Sequence, residues 1–322
     1  MSVSFKTLRE LIAGEIEPRS WGKGTSTGAG GTTIVSSTNF RMDAGDDRAL
    51  DGGWLYWTSG SLLGEERPII AAGLAASTGD ISIANPFSAT TPSGATFEVH
   101  LRYPVKASFG TLWTNGYLEM INDALGRLWF EDWLSVSGVS GQTRYLLDIA
   151  TYPWLADRPK DRIMDVYGPR DAVSNVRRST DFHWHIDDDA EAPELVFDSG
   201  GFNTGDTFYL KVARPCNTRI KISGTWTDVS PSALNSGYYG LAADADETHA
   251  IPSHVLAMVV TASMNALGMR QPAVDADRWE GRRRYWAEVA RQIKNRRLPR
   301  KNDGRVRLRA VGLGGGMMAG RY

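Results

Sequence analysis

The stretch "TGDTFYLKVARP" (Thr204 to Pro215) matches "SGATFEVHLRYP" (Ser93 to Pro104) without a gap. Gly94, Thr96, Phe97, Val99, Leu101 and Pro104 align with Gly205, Thr207, Phe208, Leu210, Val212 and Pro215. In each copy a glycine turn leads into an alternating strand that ends at proline, which is how a strand with one face in a core reads. A further short strand lies upstream of each: "DISIANPF" before the first copy and "ELVFDSGGF" before the second. The repetition predicts two related β-modules, each a small sandwich or barrel.

Around the first copy, "GGWLYWTSG" (Gly52 to Gly60), "ERPIIAAG" and "GDISIANPF" are short apolar stretches bounded by Gly, Pro or Asp, as in an all-β module. In "WLYW" both alternate sets are apolar or aromatic, so burial on both sheet faces is expected. "SWGKGTSTGAGGTTIVSS" (Ser20 to Ser37) reads as a Gly/Ser/Thr-rich connector leading into the first strand. Before it, "MSVSFKTLRELIAGEIE" reads as an amphipathic helix capped by Ser4, with Leu8, Leu11, Ile12 and Ile16 on one face. That start lacks the order of a secretory signal, and no apolar run approaches the roughly 20 residues of a membrane span.

Between the repeat copies, "TLWTNGYLEMINDALGRLWFEDWL" (Thr111 to Leu134) predicts a helix. Tyr117, Met120, Ile121, Ala124, Leu125 and Leu128 form its apolar side, with Asn122, Asp123 and Arg127 opposite. Two helices are expected after the second copy. One has Pro252 in its first turn and Gly268 at its end; the other is marked by Trp279, Trp286, Val289 and Ile293 and stopped by Pro299.

The expected class is therefore α+β, mainly β. Residues 1–37 form the N-terminal helix and connector, 38–110 the first β-module, and 111–134 a linking helix. The second β-module spans 135–230, a helical region 231–300, and an extended basic, Gly-rich tail 301–322.

The lone cysteine, Cys216, excludes an internal disulfide framework and a multi-cysteine zinc cluster, and its strand-like surroundings point to a buried, inert thiol. No phosphate-binding loop or nucleophile elbow occurs: "GAGGTT" (Gly28 to Thr33) lacks the Gly-Lys-Ser/Thr ending. Asp46/Asp47 and Glu65/Glu66 are sequence neighbours whose side chains point apart on a strand, a poor geometry for acid–base work. No catalytic constellation, metal set or cofactor site is read here.

"DFHWHIDDDAE" (Asp181 to Glu191) is the stretch closest to a metal site. Strand alternation puts Phe182, Trp184 and Ile186 on one face and His183, His185 and Asp187 on the other. Burial of Trp184 and Ile186 turns His183 and His185 outward, so they are read as a subunit-interface face rather than as ligands.

A net charge of −1 hides a polarity: from Arg278 to Arg309 there are 13 Lys or Arg against 3 acids, a local +10, leaving −11 elsewhere. Those read as facing a portal or DNA are Arg282, Arg283, Arg284, Arg291, Lys294, Arg296, Arg297, Arg300, Lys301, Arg305, Arg307 and Arg309. Such a segment suits phosphates read without sequence specificity, or an acidic protein surface. No DNA-recognition signature accompanies it.

The order "TTIVSSTNFRMDAGDDRALDGGWLYWTSGSLLGEERPI", "GDISIANPF", "SGATFEVH" and the helix "LEMINDALGRLW" resembles virion proteins of tailed bacteriophages. In those, a Gly-Trp strand, a G-x-E-R-x-I strand and a G-x-T-F-E-V-H strand precede an I-N-x-A-L helix. "YLLDIATYPW", "RIMDVYG", "DFHWHI", "PELVF" and "GDTFYLKV" continue the likeness through the second half. The resemblance implies a non-enzymatic head–tail connector, neck or tail-adaptor subunit, in a homo-oligomeric ring of about twelve copies under a portal. Its implied partners are the portal and other neck or tail proteins, with non-specific genome DNA in the channel, and its place is the virion rather than a membrane. Two other readings stand beside this one: a β-sandwich module recognising a glycan or receptor, and a metal-dependent enzyme centred on His183 and His185.

Overall fold

A computed structural model describes residues 2–16, 21–29, 31–43, 45–106, 116–156, 159–170, 177–179, 183–188, 192–198, 202–229, 240–249, 252–269 and 276–297. The fold is mainly β, with helices. Two compact units divide it. One comprises the described residues of Met1–Leu128, Arg219–Val229 and Tyr238–Gln292; the other is built on Trp129–Thr218. The chain thus leaves the first unit at Leu128 and returns at Arg219, in place of the linear succession of segments that the sequence suggested.

The first unit opens with β1 (Ser2–Ser4) and α1 (Phe5–Ile16). Ser4 Oγ accepts the Thr7 N–H at 3.2 Å, as its capping role requires. α1 buries Phe5, Leu8, Ile12 and Ile16, but also Arg9, whereas Leu11 is 47% exposed, contrary to expectation. The buried stripe runs one position to the other side of Leu8, and a cation fills the place.

Seven antiparallel strands follow in the spatial order β2 (Trp21–Thr25), β8 (Thr96–His100), β5 (Trp54–Trp57), β6 (Glu66–Ala75), β7 (Asp80–Ile83), β4 (Ile34–Ser36), β3 (Gly28–Ala29). The stretch expected as a connector therefore supplies three strands. In β2 glycine does this because a ring lies where a side chain would be: a Cβ on Gly24 would come within 2.6 Å of Phe97 and 2.7 Å of Phe40. Both faces of "WLYW" are covered, with Leu55, Tyr56 and Trp57 all buried. The register of β6 shifts between Ile69 and Leu74. Val35 and Ile81 join Trp57, Phe97 and Val99 in one core, so both halves of the sheet serve it. A smaller sheet, β1–β18 (Glu247–His249)–β16 (Arg219–Ile222)–β17 (Thr225–Asp228), takes the chain's first strand. Helices α1 and α2 (Tyr117–Arg127) both pack on α4 (Pro252–Met269). Among the described residues no helix is long and apolar enough to cross a membrane.

The expected helix over Thr111 to Leu134 is a correction. Only Tyr117–Arg127 is helical; Leu128 is extended (φ −99°, ψ 153°), and β9 (Trp129–Ser137) follows. After Arg127 the period changes to two, with Phe130 and Leu134 buried and Glu131 and Ser135 outward. Residues 111–115 lie outside the described set.

The second unit contains β12 (Arg177–Ser179), β11 (Ile163–Arg170), β15 (Thr207–Pro215) and β9 in one sheet, and β10 (Arg144–Leu146), β14 (Glu194–Phe197) and β13 (Trp184–Asp187) in another. Leu134, Val166, Phe208 and Leu210 from the first and Tyr145, Ile186, Leu195 and Phe197 from the second share a core. Phe202 stacks on Phe208 at 4.4 Å, and Tyr145 and Phe197 meet Phe208 edge-on.

The repeat is real at its centre. β8 and β15 are each flanked on both sides, Phe97 and Phe208 are buried, and Gly94 (φ 76°) and Gly205 (φ 95°) both turn in the left-handed region. Its flanks diverge. β8 ends at His100, short of Pro104, while β15 runs to Pro215. β7 shares a sheet with β8, but β14 belongs to the sheet opposite β15.

Candidate functional site

Strand β8 is buried on both faces: Phe97 and Val99 enter the apolar core, while Glu98 and His100, also buried, face the other way. Opposite Glu98 in the ladder is Tyr56 of β5. Onto this polar side α1 brings Arg9. Its Nε donates to Glu98 Oε2 at 3.0 Å and its Nη2 to Glu98 Oε1 at 3.1 Å. On its other edge the guanidinium donates to Asp244, from Nη1 to Oδ1 and from Nη2 to Oδ2 at 3.3 Å. Tyr56 Oη also reaches Asp244, at 3.0 Å, and the Tyr56 ring lies 4.7 Å from the guanidinium. His100 Nε2 is 3.1 Å from Glu98 Oε2, and its ring tilts against Tyr117 of α2.

The electrostatics follow from this geometry. Burial opposes the charge on Glu98, but the His100 hydrogen bond and the Arg9 guanidinium prevail and hold the carboxyl at about 2. Burial likewise opposes the Arg9 charge, and the facing Glu98 and Asp244 overcome it, raising its pKa above the usual arginine value. Burial, with Asp244 beside it, lifts the Tyr56 phenol far above its ordinary value.

Next to this network, Glu66 opens β6 and turns inward to accept the N–H of Val105 and that of Lys106, the latter at 2.8 Å. Burial outweighs those hydrogen bonds and pushes Glu66 up to about 8. Its neighbour Glu65 points the other way, to Arg67 at 3.0 Å and to Ser88. Asn122, expected on the polar side of its helix, is buried and bonds the Leu241 backbone both ways, at 2.8 and 2.9 Å. Sequence reasoning missed all of these. The available signal was confined to Arg9, a charged residue at a position of α1 whose phase is otherwise apolar.

Beside Glu98 a cleft of about 250 Å³ opens between α1, β2 and β8, lined by Lys6, Glu10, Lys23, Thr25 and Thr96 among others. Lys23 spans its rim to Glu10 at 2.9 Å. Both Glu98 oxygens are already engaged by Arg9, and one also by His100.

The histidine stretch behaves as strand phase dictated. Ile186 is buried and Trp184 packs on the core, while His183 and His185 are exposed. His185 Nδ1 meets Asp198 at 2.9 Å, and Asp187 is held by Arg144, which also takes Glu194 at 2.7 Å. Among the described residues no three His, Cys, Asp or Glu side chains converge as a metal site. Asp181, Phe182 and Asp189 to Glu191 lie outside those residues. Cys216 is buried at the end of β15.

Of the basic segment, α5 (Ala276–Arg297) carries the first part. Arg283 and Arg284 clasp Glu280 at 2.7 and 2.9 Å, and Arg291 clasps Glu288 at 2.8 Å. Arg282 reaches Glu15 of α1 at 2.9 Å. The structure thus adds acid partners to four residues expected to face a portal or DNA. These pairs are exposed and weak, so the arginines stay open to competition. Lys294, Arg296 and Arg297 have side chains outside the described set, and Arg300, Lys301, Arg305, Arg307 and Arg309 lie outside it altogether.

The geometry defines a mainly β protein of two units, the first of which holds a buried ion network, and a basic helix. Comparison with protein-family models, with curated proteins and with solved structures finds no match to the chain.

Proposed function

We propose that this chain is a structural subunit of a tailed-bacteriophage virion, a head–tail connector or neck adaptor that bridges portal and tail as a ring, and not an enzyme. One observation carries the reading. The three strand motifs of the resemblance are β5, β6 and β8, immediate neighbours in one sheet, and the fourth is α2. Four polar residues in them are buried: Glu66 and Asn122 bond backbone, Glu98 bonds Arg9, and His100 meets Glu98. Their work is to fix helices on a sheet, which is what a load-transmitting scaffold asks of its ionisable groups.

The basic residues after helix α5 are the portal-facing or DNA-facing part in this reading. The test is to mix the purified full chain with portal and image the product. A symmetric ring on the portal is expected; a chain that remains monomeric and ignores portal overturns the proposal.

A further inference from the structure

We infer that residues 41–43 and 45–51, with the bulge of β6, form a docking patch for helix α5 of a second copy of this chain, an inference that rests on the ring reading and assigns one of its contacts. Met42, Asp47 and Asp51 are bonded to residues 72–76. Met42 N–H bonds Ala76 O at 2.8 Å, Asp47 Oδ1 takes the Ala76 N–H at 3.1 Å, and Asp51 Oδ1 takes the Ala72 N–H at 2.6 Å.

Ala72 is held at φ 53°, a left-handed conformation that a non-glycine residue seldom adopts. The strain accompanies a bulge, a device that re-aims side chains at a sheet surface. Around it Ile70 is 41% and Met42 38% exposed. From Arg41 to Asp51 the chain carries four aspartates against two arginines. Asp43 and Asp46 are exposed and have no ion-pair partner among the described residues. The patch is thus apolar at two points and acidic around them.

Helix α5 has the complementary character. It carries eight Lys or Arg against three acids, a net of +5, while residues 1–275 carry −11, by 22 basic against 33 acidic residues. Its outward side presents Tyr285, 62% exposed, between Arg284 and Arg291. Tyr and Arg on one surface are the residue types that anchor protein interfaces. Arg283, Arg284 and Arg291 already clasp Glu280 and Glu288, so this surface takes carboxylates. Because patch and helix are different surfaces, the contact is head-to-tail and closes into a ring when its rotation permits.

The experiment uses full chains. Ile70→Cys and Tyr285→Cys variants carrying different tags are mixed and mildly oxidised, the buried Cys216 remaining in place. Expected is a disulfide-linked pair bearing both tags, together with about tenfold or greater weakening of self-association by Tyr285→Ala. Links only between like variants overturn the assignment. An oligomer or portal-bound ring that forms without the mixed link and survives Tyr285→Ala overturns it too, while leaving the neck reading standing. A chain monomeric with and without portal ends both. If Tyr285→Ala weakens duplex DNA binding and leaves self-association intact, α5 is a DNA-binding helix and the proposal fails. If deleting Arg305 to Tyr322 abolishes association while Tyr285→Ala does not, the tail is the ligand and the proposal fails likewise.

Discussion

Arg9 and Asp244, 235 residues apart in the chain, share a buried ion pair. The guanidinium has Glu98 on its other edge, so one side chain joins the first helix, the centre of the seven-stranded sheet and the segment that returns from the second unit. Asp246 reinforces the return, since its backbone carbonyl accepts the Phe5 N–H at 2.9 Å and its carboxylate takes those of Ala242 and Ala243.

Removing the cation should therefore cost far more than an ordinary substitution. Arg9→Met leaves Glu98 and Asp244 buried without their cation, and about 3–5 kcal/mol of stability is expected to be lost. Urea unfolding of the two proteins measures it. A loss under about 1 kcal/mol, the range of an exposed pair, would contradict the burial argument.

A methyl group tests the aromatic cover over β2. Gly24→Ala places a carbon within 2.6 Å of Phe97 and 2.7 Å of Phe40, whose rings stack at 5.6 Å. Both rings must shift, and about 1–3 kcal/mol of destabilisation is expected from overpacking. Gly28→Ala, where a Cβ would meet nothing within 4 Å, is the control and should fall within about 0.5 kcal/mol of the parent.

Glu66 and Glu98 should give opposite pH dependences. The folded value of Glu98 is lowered to about 2, so its stabilisation is complete above the ordinary carboxylate range and is lost as pH falls toward about 2. Glu66 is raised from 4.5 to about 8, so between those values the folded chain holds a proton that the unfolded chain releases. Its contribution therefore declines as pH rises through that window and levels off above it. Glu66→Gln should flatten this decline. Urea midpoints of both proteins from about pH 5 to about pH 9 decide the matter, and parallel curves would contradict it.

What the sequence made legible was local and periodic. Strands β5, β6, β7, β13, β14 and β15, the two late helices and the outward turn of His183 and His185 all follow from period and turn chemistry, which act over a few residues. What it hid depended on distant partners. Gly22 and Gly24 sit in a strand because Phe40 and Phe97 cover them, and the helix over 117–127 gives way to β9 because β15, far along the chain, supplies a nine-residue ladder. Arg9, Glu98 and Asn122 looked like surface residues until their partners at Asp244 and Leu241 were known. Periodicity has no means of announcing a contact across half the chain.

The histidine stretch allows the last discrimination. His185 meets the exposed carboxylate of Asp198, and both histidines are exposed, so neither side chain is part of the core. Exposed pairs of this kind contribute little, because solvent screens them and side-chain order must be maintained. Replacing both histidines by alanine should therefore change stability by no more than about 0.5 kcal/mol, whereas Ile186→Ala on the same strand should cost about 2–5 kcal/mol. A bound metal would stabilise the fold by mass action, so adding zinc or a chelator should leave the melting temperature of the parent and of the double variant unchanged. A zinc-dependent shift in the parent that vanishes in the double variant would restore the metal reading and remove the interface role assigned to this face.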